Sequence, residues 1–168
     1  MDEADDDEER SENVICFAVH PNGEEIVVAM QSSLLRHYNM DTKEIVRSFR
    51  GHQMPVLAMD YDKTGTLVAT GSADKTVRVW DVPRGYCTHN FRDHSDIVQL
   101  VQFHPDPAQC ILFSASDDST LRMYDLKTNS CMATFRHHMS LPTALAFTSN
   151  DDCRFMVSVG RDQVCIDI

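Results

Sequence analysis

Apolar and polar residues alternate in short runs along the chain, and no stretch sustains the 3.6-residue period of a helix. From Val56 onward the runs are "VLAMDY" (56–61), "TLVAT" (66–70), "TVRVWD" (76–81) and "CTHNF" (87–91). Turn-forming Lys63-Thr64-Gly65, Ala73-Asp74-Lys75 and Pro83-Arg84-Gly85 separate them, which predicts four strands joined by tight hairpins. An isolated hairpin buries too little apolar surface to stand alone, so something else in the chain must cover this one.

The cover is more of the same pattern. Asp74, Asp118 and Asp162 lie 44 residues apart, and so do Thr70, Ser114 and Ser158 and the apolar trio Met59, Phe103 and Phe147. Trp80 maps in this register onto Tyr124 and then onto Ile168. The next unit reads "IVQLVQF", "ILFSA", "TLRMYD" and "CMATF", with the longer first turn "HPDPAQ". An earlier unit, 13–49, fits more loosely as "VICFAV", "IVVAM", "LLRHYN" and "EIVRSF"; Tyr38 falls at the tryptophan position and Ser32 at that of the turn aspartate. The last unit reaches "RDQVC" and then places Asp167 at an apolar strand position. An all-β fold follows, with about three four-stranded sheets and part of a fourth.

Gly51-His52 and, after a gap of 27 residues, Trp80-Asp81 resemble the G-H…W-D signature of WD-repeat (WD40) β-propellers, and the likeness extends from Asn13 to the C-terminus. Asp93-His94 and Tyr124-Asp125 stand in for the signature in the following unit. The resemblance implies a partial propeller with blades at about 13–50, 51–92, 93–136 and 137–168, preceded by an acidic tail or loop at 1–12. It also implies one hydrogen-bonded network per blade. Carried over by position, the structural networks are His52, Thr70, Asp74 and Trp80; then His94, Ser114, Asp118 and Tyr124; then His138, Ser158 and Asp162, with Ile168 where a tryptophan would close the set. A turn aspartate can accept from backbone N–H groups and from an imidazole, and a buried indole N–H needs an acceptor. Asp74 is therefore expected to matter more for stability than Asp62, which the pattern places in an outer turn. In propellers the loops between fourth and first strands and between second and third share one face, so Gln53, Met54, Ala73, Lys75, Asp96 and Asp117 are the candidate partner face.

Charge refines this picture. The chain carries a net charge of -11, much of it within residues 1–12, a balance poorly suited to gripping phosphate backbones over a wide surface. Lys75, Arg78 and Arg84 form a loose basic cluster around the central hairpin, expected to be a solvated strand face. The six cysteines are widely spaced without a C-x-x-C pair, which reads as plain thiols in a reducing compartment. No apolar run approaches the roughly 18 residues of a spanning helix, and no basic, apolar leader opens the chain.

Eight histidines invite an enzymatic reading, yet the nucleophile-elbow, metalloprotease and phosphate-loop motifs are missing. His137-His138, Asp117-Asp118 and Asp151-Asp152 are read as loop and turn residues. The expectation is a protein that is not an enzyme, with no cofactor, no metal, no membrane contact and no small-molecule substrate. Within the family, the run from Leu67 to Ser114 is similar to propellers of the small-subunit processome. That likeness implies a scaffold in 18S precursor-RNA processing and ribosome biogenesis, located in the nucleus and nucleolus. The implied partners are other processome proteins and the small nucleolar ribonucleoprotein, with RNA contact mostly indirect. It also implies that the chain begins and ends inside a longer protein. The alternatives are a WD-repeat adaptor in a ubiquitin ligase or signalling assembly, or an incomplete propeller whose open edge makes it prone to aggregation.

Overall fold

The computed structural model describes residues 12–136, 138–147, 156–162 and 165–167. The chain folds as four antiparallel meanders in sequence order. The first sheet holds β1 (Val14–Val19), β2 (Glu25–Met30), β3 (Leu34–Asn39) and β4 (Ile45–Arg50). The second holds β5 (Val56–Tyr61), β6 (Leu67–Ser72), β7 (Val77–Asp81) and β8 (Tyr86–Phe91), and the third β9 (Val98–Phe103), β10 (Ile111–Ser116), β11 (Leu121–Asp125) and β12 (Ser130–Phe135). The fourth has β13 (Pro142–Phe147), β14 (Met156–Gly160) and the short β15 (Cys165–Asp167), which pairs along β14 despite Asp167. The "HPDPAQ" turn contains one turn of 3-10 helix at Pro107–Gln109, capped by the Asp106 side chain.

Successive sheets pack face to face. First strands lie against first strands, β1 on β5, β5 on β9 and β9 on β13, so the sheets fan out from a common inner edge as in a partial WD propeller. The core lies between sheets rather than within one. Val27, Ala29 and Leu35 of the first sheet meet Val68, Trp80 and Val82 of the second; Ala69, Val77 and Val79 on the second sheet's other face meet Leu112 and Tyr124 of the third. Phe113, Ala115 and Leu121 then meet Met156. This explains why the second strands read as unbroken apolar runs where strict alternation would mark a half-exposed strand: β6 and β10 are covered on both faces.

Two register shifts recur. One lies near the start of each first strand, at Val14/Cys16, Val56/Ala58 and Pro142/Ala144, and opposite Ala115/Ser116 in the third sheet. The other lies between third and fourth strands at His37/Tyr38, Val79/Trp80 and Met123/Tyr124. Such bulges increase the right-handed twist, and here they fall at equivalent positions in each sheet.

Asp62 departs from the sequence expectation. It is buried at 8% exposure in the β5–β6 turn, where its carboxylate accepts from the N–H of Leu67 (2.8 Å) and of Thr64 (3.2 Å) and from the Thr64 hydroxyl. An aspartate that satisfies its own turn's donors is pulled inward by them. The Lys75, Arg78 and Arg84 cluster is also overturned: Lys75 and Arg84 sit in the turns at opposite ends of β7, because a strand carries its two flanking turns to opposite rims. The Arg84 side chain is 72% exposed and pairs with Asp81 at 3.5 Å.

Candidate functional site

The rim formed by the β4–β5 and β8–β9 loops and the β6–β7 and β10–β11 turns is where the repeat concentrates its polar side chains. In the second sheet, His52 descends from the β4–β5 loop between a turn and a strand. Its Nδ1 lies 2.9 Å from Asp74 Oδ2, and its Nε2 lies 2.7 Å from the Thr70 hydroxyl. The Trp80 Nε1–H donates to that hydroxyl at 2.9 Å. Thr70 has a single proton to give; the 2.7 Å contact to His52 Nε2 takes it ahead of the Arg78 carbonyl at 3.3 Å. Indole N–H, threonine hydroxyl, imidazole and carboxylate thus form one continuous hydrogen-bonded chain across the sheet.

Asp74 also accepts from the backbone N–H of Gln53 (3.1 Å) and of Thr76 (3.0 Å) and from the Thr76 hydroxyl (2.6 Å). Burial alone would raise its pKa, but the bonds from His52, Thr76 and Gln53 hold the carboxyl well below the usual carboxylate range. One carboxylate thus ties the inter-sheet loop to the hairpin turn.

The third sheet repeats the arrangement, with His94 Nδ1 2.9 Å from Asp118, Nε2 2.7 Å from Ser114, the Ser95 N–H donating to Asp118 at 3.0 Å and the Thr120 hydroxyl at 2.6 Å. Burial lowers the His94 pKa, keeping the ring neutral, while Asp118, raised by burial but lowered further by Thr120, His94 and Ser95, sits at about 2. In the fourth sheet His138 bonds Ser158 at 2.8 Å and Asp162 at 3.1 Å, and Met139 N–H donates to Asp162 at 2.8 Å.

The tyrosine position departs from the tryptophan one. Tyr124 is fully buried and stacks on Phe91 with centroids 4.2 Å apart, but its hydroxyl makes no hydrogen bond of ordinary geometry, although it is electrostatically coupled to Ser114. The phenol oxygen thus faces the strand-two hydroxyl, as the indole N–H does in the second sheet, but without the geometry of the Trp80–Thr70 bond. Ile168, His137, Asp151 and Asp152 lie outside the described residues. The first sheet has no such network: Val28 and Met30 occupy the strand positions of Thr70 and Ser72, and the Ser32 hydroxyl donates to Glu12 at 2.9 Å.

Four network members escaped the sequence reading. Thr76 and Thr120 brace the aspartates; the Ser72 hydroxyl donates to Pro55 O (2.9 Å) and accepts from Asp74 N–H (3.1 Å), and Ser116 does the same with Asp96 O (2.9 Å) and Asp118 N–H (3.2 Å). Each pair obeys the 44-residue spacing, which was the available signal. Gly160 takes the serine's place in the fourth sheet, where a Cβ would fall 2.5 Å from Asp162 Oδ1 and 2.7 Å from His138 Nδ1.

The expected partner-face residues all lie on this rim. Gln53, Met54, Lys75, Asp96 and Asp117 are exposed and Ala73 is half-buried. Lys75 Nζ donates to Ser95 O at 2.9 Å, bridging the second sheet's turn to the next loop, and Asp117 accepts from Gln99 at 3.1 Å instead of pairing with Asp118. Among the described residues, no three His, Cys, Asp or Glu side chains converge as metal ligands would. The histidines and aspartates are committed to joining backbone segments, and the rim's exposed positions include Met54 and Met139 beside polar side chains.

The sequence profile described as "WD domain, G-beta repeat" matches residues 43–81 and 85–125. Over 95% of its length the chain is 39% identical to transducin beta-like protein 3 of Bos taurus, of which it covers 20%. It is 36% identical over 54% of its length to the periodic tryptophan protein 2 homolog of Schizosaccharomyces pombe, and 29% identical over 57% to U3 small nucleolar RNA-associated protein 13 of Saccharomyces cerevisiae. The chain spans about one fifth or less of the length of these curated relatives.

Proposed function

The chain belongs to the WD-repeat family, and from that premise we propose that it serves as a scaffold in assembly of the small ribosomal subunit, within the processome that matures 18S precursor RNA in the nucleolus. The identity of 39% across 95% of the chain to transducin beta-like protein 3 carries the reading. The name of one further relative, a U3 small nucleolar RNA-associated protein, supports a small nucleolar ribonucleoprotein among the partners. The mechanism is docking. His52, His94 and His138 lock each loop to its hairpin, so the rim keeps its shape when a partner lands and little conformational entropy is lost on binding. With its imidazoles and carboxylates so committed, the rim works by contact alone, without a reaction of its own.

Affinity purification of the tagged full-length protein, with identification of the proteins and RNAs that accompany it, tests this. Processome proteins and a small nucleolar RNA are expected; recovery of a ubiquitin-ligase core without pre-ribosomal components would overturn the assignment.

A further inference from the structure

The first sheet exposes a face that its neighbours bury. Val14 opposite Met30, Phe17 opposite Val28 and Val19 opposite Ile26 correspond in register to Val56 opposite Ser72, Met59 opposite Thr70 and Tyr61 opposite Val68 of the second sheet. In the third sheet the same first-strand places belong to Val98, Val101 and Phe103. Those three are 0%, 5% and 8% exposed, whereas Val14, Phe17 and Val19 are 55%, 61% and 50% exposed. The difference is the preceding sheet. The second and third sheets have one packed on this face; β1 and β2 of the first reach another sheet through β5, on their opposite face.

The uncovered face is built as an interior one. Val14, Ile26, Val28, Met30 and Tyr38 help to line an apolar depression of about 460 Å³. Val28 and Met30 stand where later sheets carry network hydroxyls, so the face suits an apolar cover. Arg36, opposite Val28, is tied to the Tyr38 hydroxyl at 3.5 Å, and its counterparts Arg78 and Arg122 lie on the same face of the two sheets that are covered.

The fourth sheet has the complementary face open. Ala144 lies opposite Val159 and Ala146 opposite Val157, the places of Ala58 opposite Gly71 and Asp60 opposite Ala69 in the second sheet. Ala144, Ala146 and Val159 are exposed and Val157 is half-buried. Within the molecule this face of small side chains receives the face of larger ones. Ala18, Val27 and Ala29 of the first sheet pack with Tyr61, Val68 and Trp80 of the second, and Ala69, Val77 and Val79 of the second with Phe103, Leu112 and Tyr124 of the third. The two open faces are thus the two halves of one kind of contact, held at opposite ends of a single chain.

We infer that the chain self-associates: the fourth sheet of one copy packs on the first sheet of a second copy, which returns the same contact and closes a two-fold dimer. Each new contact continues the step that already relates successive sheets. Four sheets per copy give a ring of eight, within the roughly 4–8 that such rings contain. A head-to-tail contact that closes uses up both open faces, whereas one that fails to close runs on into a filament. A second copy suits the depression better than an unrelated apolar partner, because it brings a face matched in strand register and in small-against-large packing. The dimer is independent of the ribosome-assembly reading.

Sedimentation equilibrium of the 168-residue chain across about 1–100 µM tests this. The parent should approach twice the monomer mass. Phe17→Glu and Val159→Glu each place a carboxylate in the contact and should weaken association by at least about a hundredfold. Both side chains are exposed in the single chain, at 61% and 41%, so its own core is untouched. An equimolar mixture of the two variants should recover a heterodimer through its one unaltered contact. Met132→Glu, at an apolar side chain 54% exposed on β12, should dimerise like the parent. A monomeric parent, a Val159→Glu variant that still dimerises through paired first sheets, a mixture that stays monomeric, open-ended polymers, or equal loss in Met132→Glu would overturn the inference. Should Phe17→Glu unfold by circular dichroism, hydrogen exchange of the parent decides: slower exchange of β1 and β13 peptides at high concentration than at low supports the contact, and unchanged exchange overturns it.

Discussion

Replacing Asp74 by alanine removes the one group that His52 Nδ1–H, Gln53 N–H, Thr76 N–H and the Thr76 hydroxyl all donate to. The Gln53 N–H is exposed and recovers a water, but His52 is 6% exposed and Thr76 9%, so their donors lose an acceptor that solvent does not replace. A buried donor left unsatisfied costs about 1–3 kcal/mol, and three such groups give an expected loss of roughly 3–5 kcal/mol after partial relaxation. For a chain of this size about 2–4 °C accompanies each kcal/mol, which places the drop in melting temperature near 10 °C. Because Asp62 is itself a buried anchor, the proper reference is Asp117→Ala, an exposed neighbouring-turn aspartate whose side chain accepts only from Gln99. Scanning calorimetry of the two variants beside the parent makes the comparison, with Thr76→Val expected between them because it removes one hydroxyl and keeps the carboxylate. An Asp74→Ala melting point within about 2 °C of that of Asp117→Ala would mean that the network contributes little and that inter-sheet packing alone holds the loop.

Other outcomes follow from the same structure. Burial raises the Asp60 carboxyl to about 6 against weaker opposition from the Phe103 N–H, which donates to it at 2.8 Å. Its folded pKa lies above the unfolded value, so it favours folding below about pH 4 and that contribution is lost as pH rises through 6; Asp60→Asn should raise the melting temperature at pH 8 and change it little at pH 4.5. His94 and Asp118 have the opposite sign. Both have folded pKa values below their unfolded ones, so their contribution is present at neutral pH and is lost on acidification, first below pH 6.5 for His94 and then between about pH 4 and 2 for Asp118. Acid melts of His94→Gln should therefore show a shallower loss between pH 6.5 and 5 than the parent. Gly51→Ala should destabilise by about 1–3 kcal/mol in urea titrations, since its Cβ would sit 2.6 Å from Arg78 Nη1 and 2.7 Å from the Trp80 ring. Trp80→Phe keeps most of the buried ring and loses the bond to Thr70, an expected cost of about 1–2 kcal/mol by the same titration.

The sequence by itself determined the strands and their grouping into sheets, because period-two alternation, turn residues and a fixed repeat are properties of local order along the chain; the grouping of His52, Thr70, Asp74 and Trp80 came from the resemblance to WD repeats. It also held the 44-residue recurrence that pairs Thr76 with Thr120 and Ser72 with Ser116. Tertiary structure decided the rest. Whether Asp62 is outside or buried depends on donors that only the folded turn presents, and how well Tyr124 replaces Trp80 depends on the geometry its hydroxyl reaches against Ser114 inside a packed interface. Which rim a turn residue reaches likewise depends on strand direction: antiparallel hairpins send successive turns to opposite ends, so Lys75 and Arg84, close in sequence, stand at opposite rims.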